Sequence, residues 1–140
     1  MKAACGVTAA LAVLTLGMTW PLGARLTSSV PGGYGDPLLA IWSMGWVMRS
    51  LTAALAHPVT LAGFWNANRF FPEPQALAFS EPFIGQSLLG LPVYWLSGNP
   101  ILGYNVVFLA TWVLSGLGMF LLMRSLVAPD ANCLSSSPVS

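Results

Sequence analysis

The residues that could do chemistry are concentrated in one polar stretch, from position 34 to position 81, between two strongly apolar ones. This stretch contains three of the four acidic side chains and the single histidine of the chain. Its acidic and basic side chains, with the histidine, are Asp36, Arg49, His57, Arg69, Glu73 and Glu81. Asp36 could act as a general base by taking a proton from an acceptor hydroxyl. Arg69 could hold a phosphate, because a guanidinium presents a planar fork of N–H donors.

Each of these residues also has a structural interpretation. Asp36 precedes Pro37, the pattern of a helix start, so its carboxylate could cap a helix as well as act as a base. Glu81, which precedes Pro82, has the same two interpretations, and Asn99-Pro100 repeats the pattern with an amide. Glu73 lies between two prolines and is typical of a solvated loop. Arg69 could instead pair with a loop carboxylate or a lipid headgroup.

The composition predicts a membrane protein. The 140-residue chain is 56% hydrophobic and 6% charged, with a mean hydropathy of +0.73, whereas soluble domains carry about 25% charged residues. A net charge of +1 gives no basic surface for nucleic acid. The two cysteines fall far apart and indicate neither a disulfide framework nor a metal cluster. Phosphate-binding loops, metal-ligand spacings and nucleophile elbows are absent from the sequence.

Apolar runs at both ends of the polar stretch predict two transmembrane helices. Residues 1–24 form the first, and we interpret them as an uncleaved signal anchor rather than a cleaved signal peptide. Residues 100–124 form the second, since a run of this length crosses a bilayer. Small residues at 103, 116 and 118 predict close helix packing there.

The connection between the two transmembrane helices, residues 25–81, is predicted to be a long loop with a surface helix at 37–56. Trp42, Trp46 and Arg49 are spaced at four and three, which places them on one helical face. His57-Pro58 should end this helix, because the residue before proline disfavours helical backbone.

Residues 82–98 predict an interfacial or re-entrant half-helix, and residues 125–140 a disordered tail. Basic residues before the first transmembrane helix and after the second, Lys2 and Arg124, indicate that both termini are cytoplasmic. Arg25, Arg49 and Arg69 argue weakly against this orientation. The predicted fold is therefore an all-α membrane protein whose two transmembrane helices are joined by a long extracytoplasmic loop with interfacial helices.

Four short blocks carry a resemblance to a known family. They are Gly35-Asp36-Pro37-Leu38-Leu39-Ala40-Ile41-Trp42, Asn68-Arg69-Phe70-Phe71-Pro72-Glu73-Pro74, Ala78-Phe79-Ser80-Glu81-Pro82 and Gly98-Asn99-Pro100-Ile101-Leu102-Gly103-Tyr104-Asn105. In this order they resemble the N-terminal region of bacterial polytopic membrane proteins of the GT-C glycosyltransferase type. The chain departs from that family's double-acid signature, because Asp36 is followed by Pro37.

The resemblance implies an inner-membrane enzyme that transfers a sugar from a polyprenyl-phosphate donor outside the cytoplasm. It implies that Asp36 is the catalytic base or a metal contact, with a divalent cation as candidate cofactor. Glu81 falls where similar proteins carry an acid, and Arg69 would steady the donor phosphate; both are assigned to substrate binding. The partners implied are the lipid bilayer and the polyprenyl-phosphate sugar.

Two further interpretations stay open beside this one. We expect the chain to be the N-terminal fragment of such an enzyme and inactive by itself. It could instead be a small non-enzymatic two-span membrane protein whose loop binds a partner or a lipid. It could also be a truncated or frameshifted remnant without function.

Overall fold

The computed structural model describes residues 2–33, 35–70 and 72–127, and this part of the chain is all helical, with no strand. The all-α prediction is therefore confirmed. The four α-helices are α1 (Lys2–Met18), α2 (Asp36–Ala56), α3 (Ile84–Ser97) and α4 (Pro100–Val127). Short 3₁₀ turns occur at Leu22–Ala24, Pro58–Gly63 and Ala76–Phe79.

Helix α1 and residues 109–127 of α4 form an antiparallel pair, here called the stalk. Leu11 of α1 contacts Gly116 of α4, and Met18, at the end of α1, lies beside Trp112, earlier in α4. Little else covers these helices: only 6% of the most apolar 18-residue stretch of α4 is buried. Large apolar side chains such as Met18 (80% exposed) and Trp112 (61% exposed) therefore face outward.

Helices α2 and α3, the segment between them and the first turns of α4 form the head, in which α2 packs against the hairpin of α3 and α4. The hairpin helices meet at two glycines: a Cβ on Gly90 would lie 3.4 Å from the Gly103 carbonyl oxygen. Met48 of α2 is fully buried against both glycines. Gly98, with φ of +65°, ends α3 in the left-handed conformation that favours glycine.

The three predicted helix starts have different outcomes. The prediction for Asn99-Pro100 is confirmed, because the Asn99 side-chain oxygen accepts from the N–H groups of Ile101 (2.9 Å) and Leu102 (3.3 Å). The capping prediction for Asp36 is wrong by one residue: Gly35 is the N-cap, and its carbonyl accepts from the Leu38 N–H at 3.1 Å.

The capping prediction for Glu81 is wrong by two residues. Helix α3 begins at Ile84, and its N-cap is Phe83, with φ of +50°. The Phe83 carbonyl accepts from the Ser87 N–H at 2.8 Å, while Glu81 and Pro82 stay outside the helix. A carboxylate before a proline therefore marks the neighbourhood of both helix starts but caps neither.

The predicted helices exist, with shifted ends. The run predicted at 1–24 is α-helical only to Met18, so α1 has 17 residues and is about 25 Å long. A helix exists where the surface helix was predicted at 37–56: it is α2, which begins one residue earlier, and His57 is its extended C-cap as predicted. The half-helix predicted within 82–98 is the 14-residue α3, with Pro92 inside it. Helix α4 continues past 124 to Val127; the rest of the predicted disordered tail, 128–140, lies outside the described residues.

The described helices long and apolar enough to cross a membrane are α2 and α4. They differ in burial, since 39% of the apolar stretch of α2 is buried, against 6% for α4. Helix α2 is therefore partly a core helix of the head, whereas α4 presents its apolar surface outward.

Two asparagines of α4 hold the turn that leads from the stalk to the head. Asn105 is fully buried, and its amide nitrogen donates to the carbonyls of Leu26 and Ser29, both at 2.7 Å. The Asn99 amide nitrogen donates to the Thr27 carbonyl at 3.0 Å. These bonds satisfy carbonyls that lie outside any helix and fix the position of the turn.

Two glycines of α4 allow a matched test of the stalk. A Cβ on Gly116 would lie 2.9 Å from the side chain of Leu11, whereas one on Gly118 would meet nothing within 4 Å. We expect Gly116→Leu to push α1 from α4 and to lower the free energy of unfolding by about 1–3 kcal/mol. Gly118→Leu should leave it nearly unchanged. Thermal unfolding in maltoside detergent measures both, and an equal loss in the two variants would contradict the packing.

Candidate functional site

A groove at the start of α2 is lined by two of the predicted site residues. Asp36, in the first turn of α2, and Glu81, in the segment before α3, line the same open groove of about 400 Å³. The other lining residues are Leu39, Ala40, Phe79, Ser80 and Phe83. The fold therefore places two carboxylates, one hydroxyl and two phenyl rings around one space.

Both carboxylates of this groove are available to a ligand. The side chains of Asp36 and Glu81 are exposed, and neither makes a hydrogen bond or ion pair with a described residue. Asp36 also lies at the positive end of the α2 dipole, which favours a negative charge there. A carboxylate in this setting can accept a proton or a hydrogen bond from a hydroxyl.

Carboxylate oxygens are also ligands that a divalent cation such as Mg²⁺ prefers. Among the described residues no three His, Cys, Asp or Glu side chains form a metal cluster. Mg²⁺ is commonly bound through one or two carboxylates together with waters and substrate phosphates. Asp36 and Glu81 are two such carboxylates, so a cation here would need the substrate to complete its shell.

Arg69, the third predicted site residue, lies outside the groove. It holds the segment between α2 and α3, here called the loop, against α2. Its Nη1 donates to the buried hydroxyl of Ser43 at 3.1 Å. Its Nε and Nη2 donate to the carbonyls of Ala76 (3.3 Å) and Leu77 (3.4 Å). One guanidinium therefore bridges the middle of α2 and the 3₁₀ turn before α3.

Aromatic rings enclose the same guanidinium. Arg69 lies over Trp42 (5.3 Å) and Phe70 (5.2 Å), within the range of cation–π contacts. Trp42 in turn stacks on Trp46, with ring centroids 5.9 Å apart. The Trp46 indole N–H donates to the Phe64 carbonyl at 2.9 Å. The stacked Trp42 and Trp46 rings of α2 therefore contact the loop through Arg69 on one side and through Phe64 on the other.

These contacts limit what Arg69 can offer to a ligand. A guanidinium has five N–H donors, and three of them are bonded to Ser43, Ala76 and Leu77. Desolvation by burial lowers the pKa of Arg69, although an arginine stays cationic at neutral pH. The phosphate-binding role predicted for Arg69 would have to use the two donors that are left.

Ser43, Phe79 and Phe83 are site residues that the sequence did not single out. Phe79 and Phe83 flank Glu81 in the sequence, and this adjacency was the available signal. The sequence gives no such signal for Ser43, because a serine in an apolar helix does not indicate which side chain of the loop will bind its hydroxyl. The stacking of Trp42 and Trp46 confirms their predicted common face.

The three side-chain hydrogen bonds of Arg69 form a clamp between α2 and the loop. Substitutions of Arg69 and of a second arginine, Arg49, test this clamp. We expect Arg69→Lys to loosen residues 64–80, because an ammonium cannot reproduce three separate bonds of the fork. The loss of bonds from a charged donor should cost about 2 kcal/mol. Arg49→Lys changes an exposed arginine that makes no hydrogen bond, ion pair or ring contact with a described residue, so it serves as the control. Hydrogen exchange over residues 64–80 is the measurement; equal protection in both variants would refute the clamp.

The groove of Asp36 and Glu81 is thus the part of the described chain where two predicted site residues meet. Arg69 supports the loop beside it rather than lining it. No protein-family model, no curated protein and no solved structure matches this chain.

Proposed function

We propose that this chain is the N-terminal part of a GT-C-type glycosyltransferase of the bacterial inner membrane, with Asp36 as its catalytic base. The observation that carries the proposal is the groove in which the exposed carboxylates of Asp36 and Glu81 face a common space. The order of the four sequence blocks agrees with it. The enzyme would transfer a sugar from a polyprenyl-phosphate donor to an acceptor hydroxyl outside the cytoplasm.

The chemistry assigns a distinct role to each carboxylate. Asp36 takes the proton of the acceptor hydroxyl as the acceptor oxygen forms its bond to the anomeric carbon. The bond from that carbon to the donor phosphate breaks, and the polyprenyl phosphate leaves with the electron pair. Glu81 binds an acceptor hydroxyl; if a divalent cation is bound, Asp36 and Glu81 are the groove carboxylates that would hold it. The rings of Phe79 and Phe83 offer apolar walls against a sugar or an isoprenoid.

The stalk is the part of the chain that we propose to cross the membrane. Helix α1 is about 25 Å long, and residues 109–127 of α4 extend about 28 Å at 1.5 Å per residue, close to the roughly 30 Å of a hydrocarbon core. Exposed apolar side chains on both helices support burial in lipid. Because the two helices are antiparallel, the start of α1 and the end of α4 share one face, which the positive-inside rule makes cytoplasmic.

The head then lies outside the cytoplasm, with α2 and α3 at the membrane surface. Helix α2 passes a length and composition test for a membrane span, but it carries Arg49 and is partly covered by the loop. Helix α3, with 14 residues, is about 21 Å long and too short to cross.

The orientation can be tested by thiol labelling. In a background of Cys5→Ser and Cys133→Ser, we place one cysteine in the head (Ala78→Cys) and one near the end of the stalk (Ser125→Cys). Both positions are exposed. A membrane-impermeant maleimide should label Ala78→Cys in cells with a permeabilised outer membrane, and Ser125→Cys only after lysis. The reverse pattern would overturn the orientation.

The base is tested in a polypeptide that carries the complete set of spans. Asp36→Asn keeps the shape of the side chain and removes its basicity, so transfer should fall by about 10²–10⁴-fold. Glu73→Gln is the matched control, because Glu73 is an exposed loop acid outside the groove. Transfer of radiolabelled sugar from a polyprenyl-phosphate donor is the measurement. Full activity of a folded Asp36→Asn variant would exclude Asp36 as base.

A second candidate is a non-enzymatic membrane protein whose head binds a lipid or a partner. The contacts of Arg69 favour it, because this guanidinium binds Ala76, Ser43 and Leu77 and Arg69 does not line the Asp36 groove. The two candidates differ in their response to Asp36→Asn, which should affect only the transferase.

A further inference from the structure

Arg49 is a cation that the described chain leaves without a partner. It lies in the second half of α2 with an exposed side chain. Its guanidinium makes no hydrogen bond, ion pair or ring contact with a described residue, in contrast to Arg69. None of the five N–H donors of this guanidinium is bonded to a described residue.

Arg49 lines a second groove, of about 350 Å³, between α2 and the start of α4. Helix α4 comes close at Gly45, where a Cβ would lie 3.2 Å from that of Pro100. The stacked indoles of Trp42 and Trp46 also line the groove. So does Asn68, an exposed amide with no hydrogen bond to a described residue. Flat apolar surfaces and two unpartnered polar side chains thus surround one space.

The charge of this groove has a single sign. Arg49 is the one charged residue among those that line it, whereas Asp36 and Glu81 line the other groove. Pro100 and Ile101 belong to the first turn of α4, whose dipole adds positive potential. The groove is therefore complementary to an anion.

We propose that this groove is a binding site for a phosphate ester. The guanidinium of Arg49 can donate two parallel hydrogen bonds to phosphate oxygens. The side-chain amide of Asn68 can donate to a further oxygen, which a phosphate monoester has and a carboxylate lacks. The indoles of Trp42 and Trp46 cover the organic part of the ester. This site is separate from the Asp36 groove and does not depend on the transferase.

A pair of ligands that differ only by the phosphate tests the proposal. The full chain in maltoside detergent is titrated by calorimetry with dihexanoyl phosphatidic acid and with dihexanoylglycerol. Only the first should bind to this site. Glycerol 3-phosphate then identifies the source: equal affinity indicates a soluble phosphate ester, and much weaker binding indicates a lipid headgroup. No binding of either phosphate compound would overturn the proposal.

Substitutions locate the site on the molecule. Arg49→Gln should weaken phosphatidic acid binding at least tenfold, because a charge-assisted hydrogen bond is lost. Asn68→Ala should weaken it a few-fold. The control is Arg25→Gln, an equal change of charge at an exposed arginine that lines neither groove. Unchanged affinity in Arg49→Gln, or an equal loss in Arg25→Gln, would overturn the assignment. Unchanged thermal unfolding of the variants excludes misfolding as the cause.

Discussion

The close approach of α3 and α4 at Gly90 and Gly103 is the constraint on which the head depends. With no side chain at either position, the two helices leave space for Met48, which is buried against both. A buried methionine makes dispersion contacts on all sides and adapts to an irregular gap. Helix α2 is thereby fixed across the hairpin, and its orientation decides where its polar residues lie. Asp36 lines one groove, Arg49 lines another, and Ser43 faces the loop.

Side chains, rather than secondary structure, satisfy much of the loop backbone. Carbonyls outside regular helices accept from Arg69, from the amide of Asn105 and from the indole of Trp46. A buried carbonyl without a partner would cost about as much as a lost hydrogen bond, so these donors decide where the irregular segments can lie. The Asp36 groove depends on this arrangement, since Glu81 follows directly from the turn that Arg69 holds.

The sequence could predict what depends on neighbours along the chain. The end of α2 at His57-Pro58, the cap at Asn99 and the common face of Trp42 and Trp46 follow from local rules, and all are confirmed. The capping predictions for Asp36 and Glu81 were wrong, because the choice among adjacent residues depends on backbone angles that packing decides. The partners of Arg69 were beyond prediction, since Ser43 and Leu77 approach it only through the tertiary fold. The tertiary fold also places Asp36 and Glu81 in one groove, which the sequence could not predict.

The separation of opposite charges on α2 bears on the function of the head. Among the described residues no arginine pairs with Asp36 or Glu81, although the chain has few charges and places them in one region. An exposed ion pair stabilises a protein by only about 0–1 kcal/mol, so leaving these groups unpaired costs little. Within a folded protein, a hydrogen bond to a charged group contributes more, about 1.5–3 kcal/mol. Two grooves of opposite sign lie beside one helix, and a ligand could contact either without breaking an ion pair among the described residues.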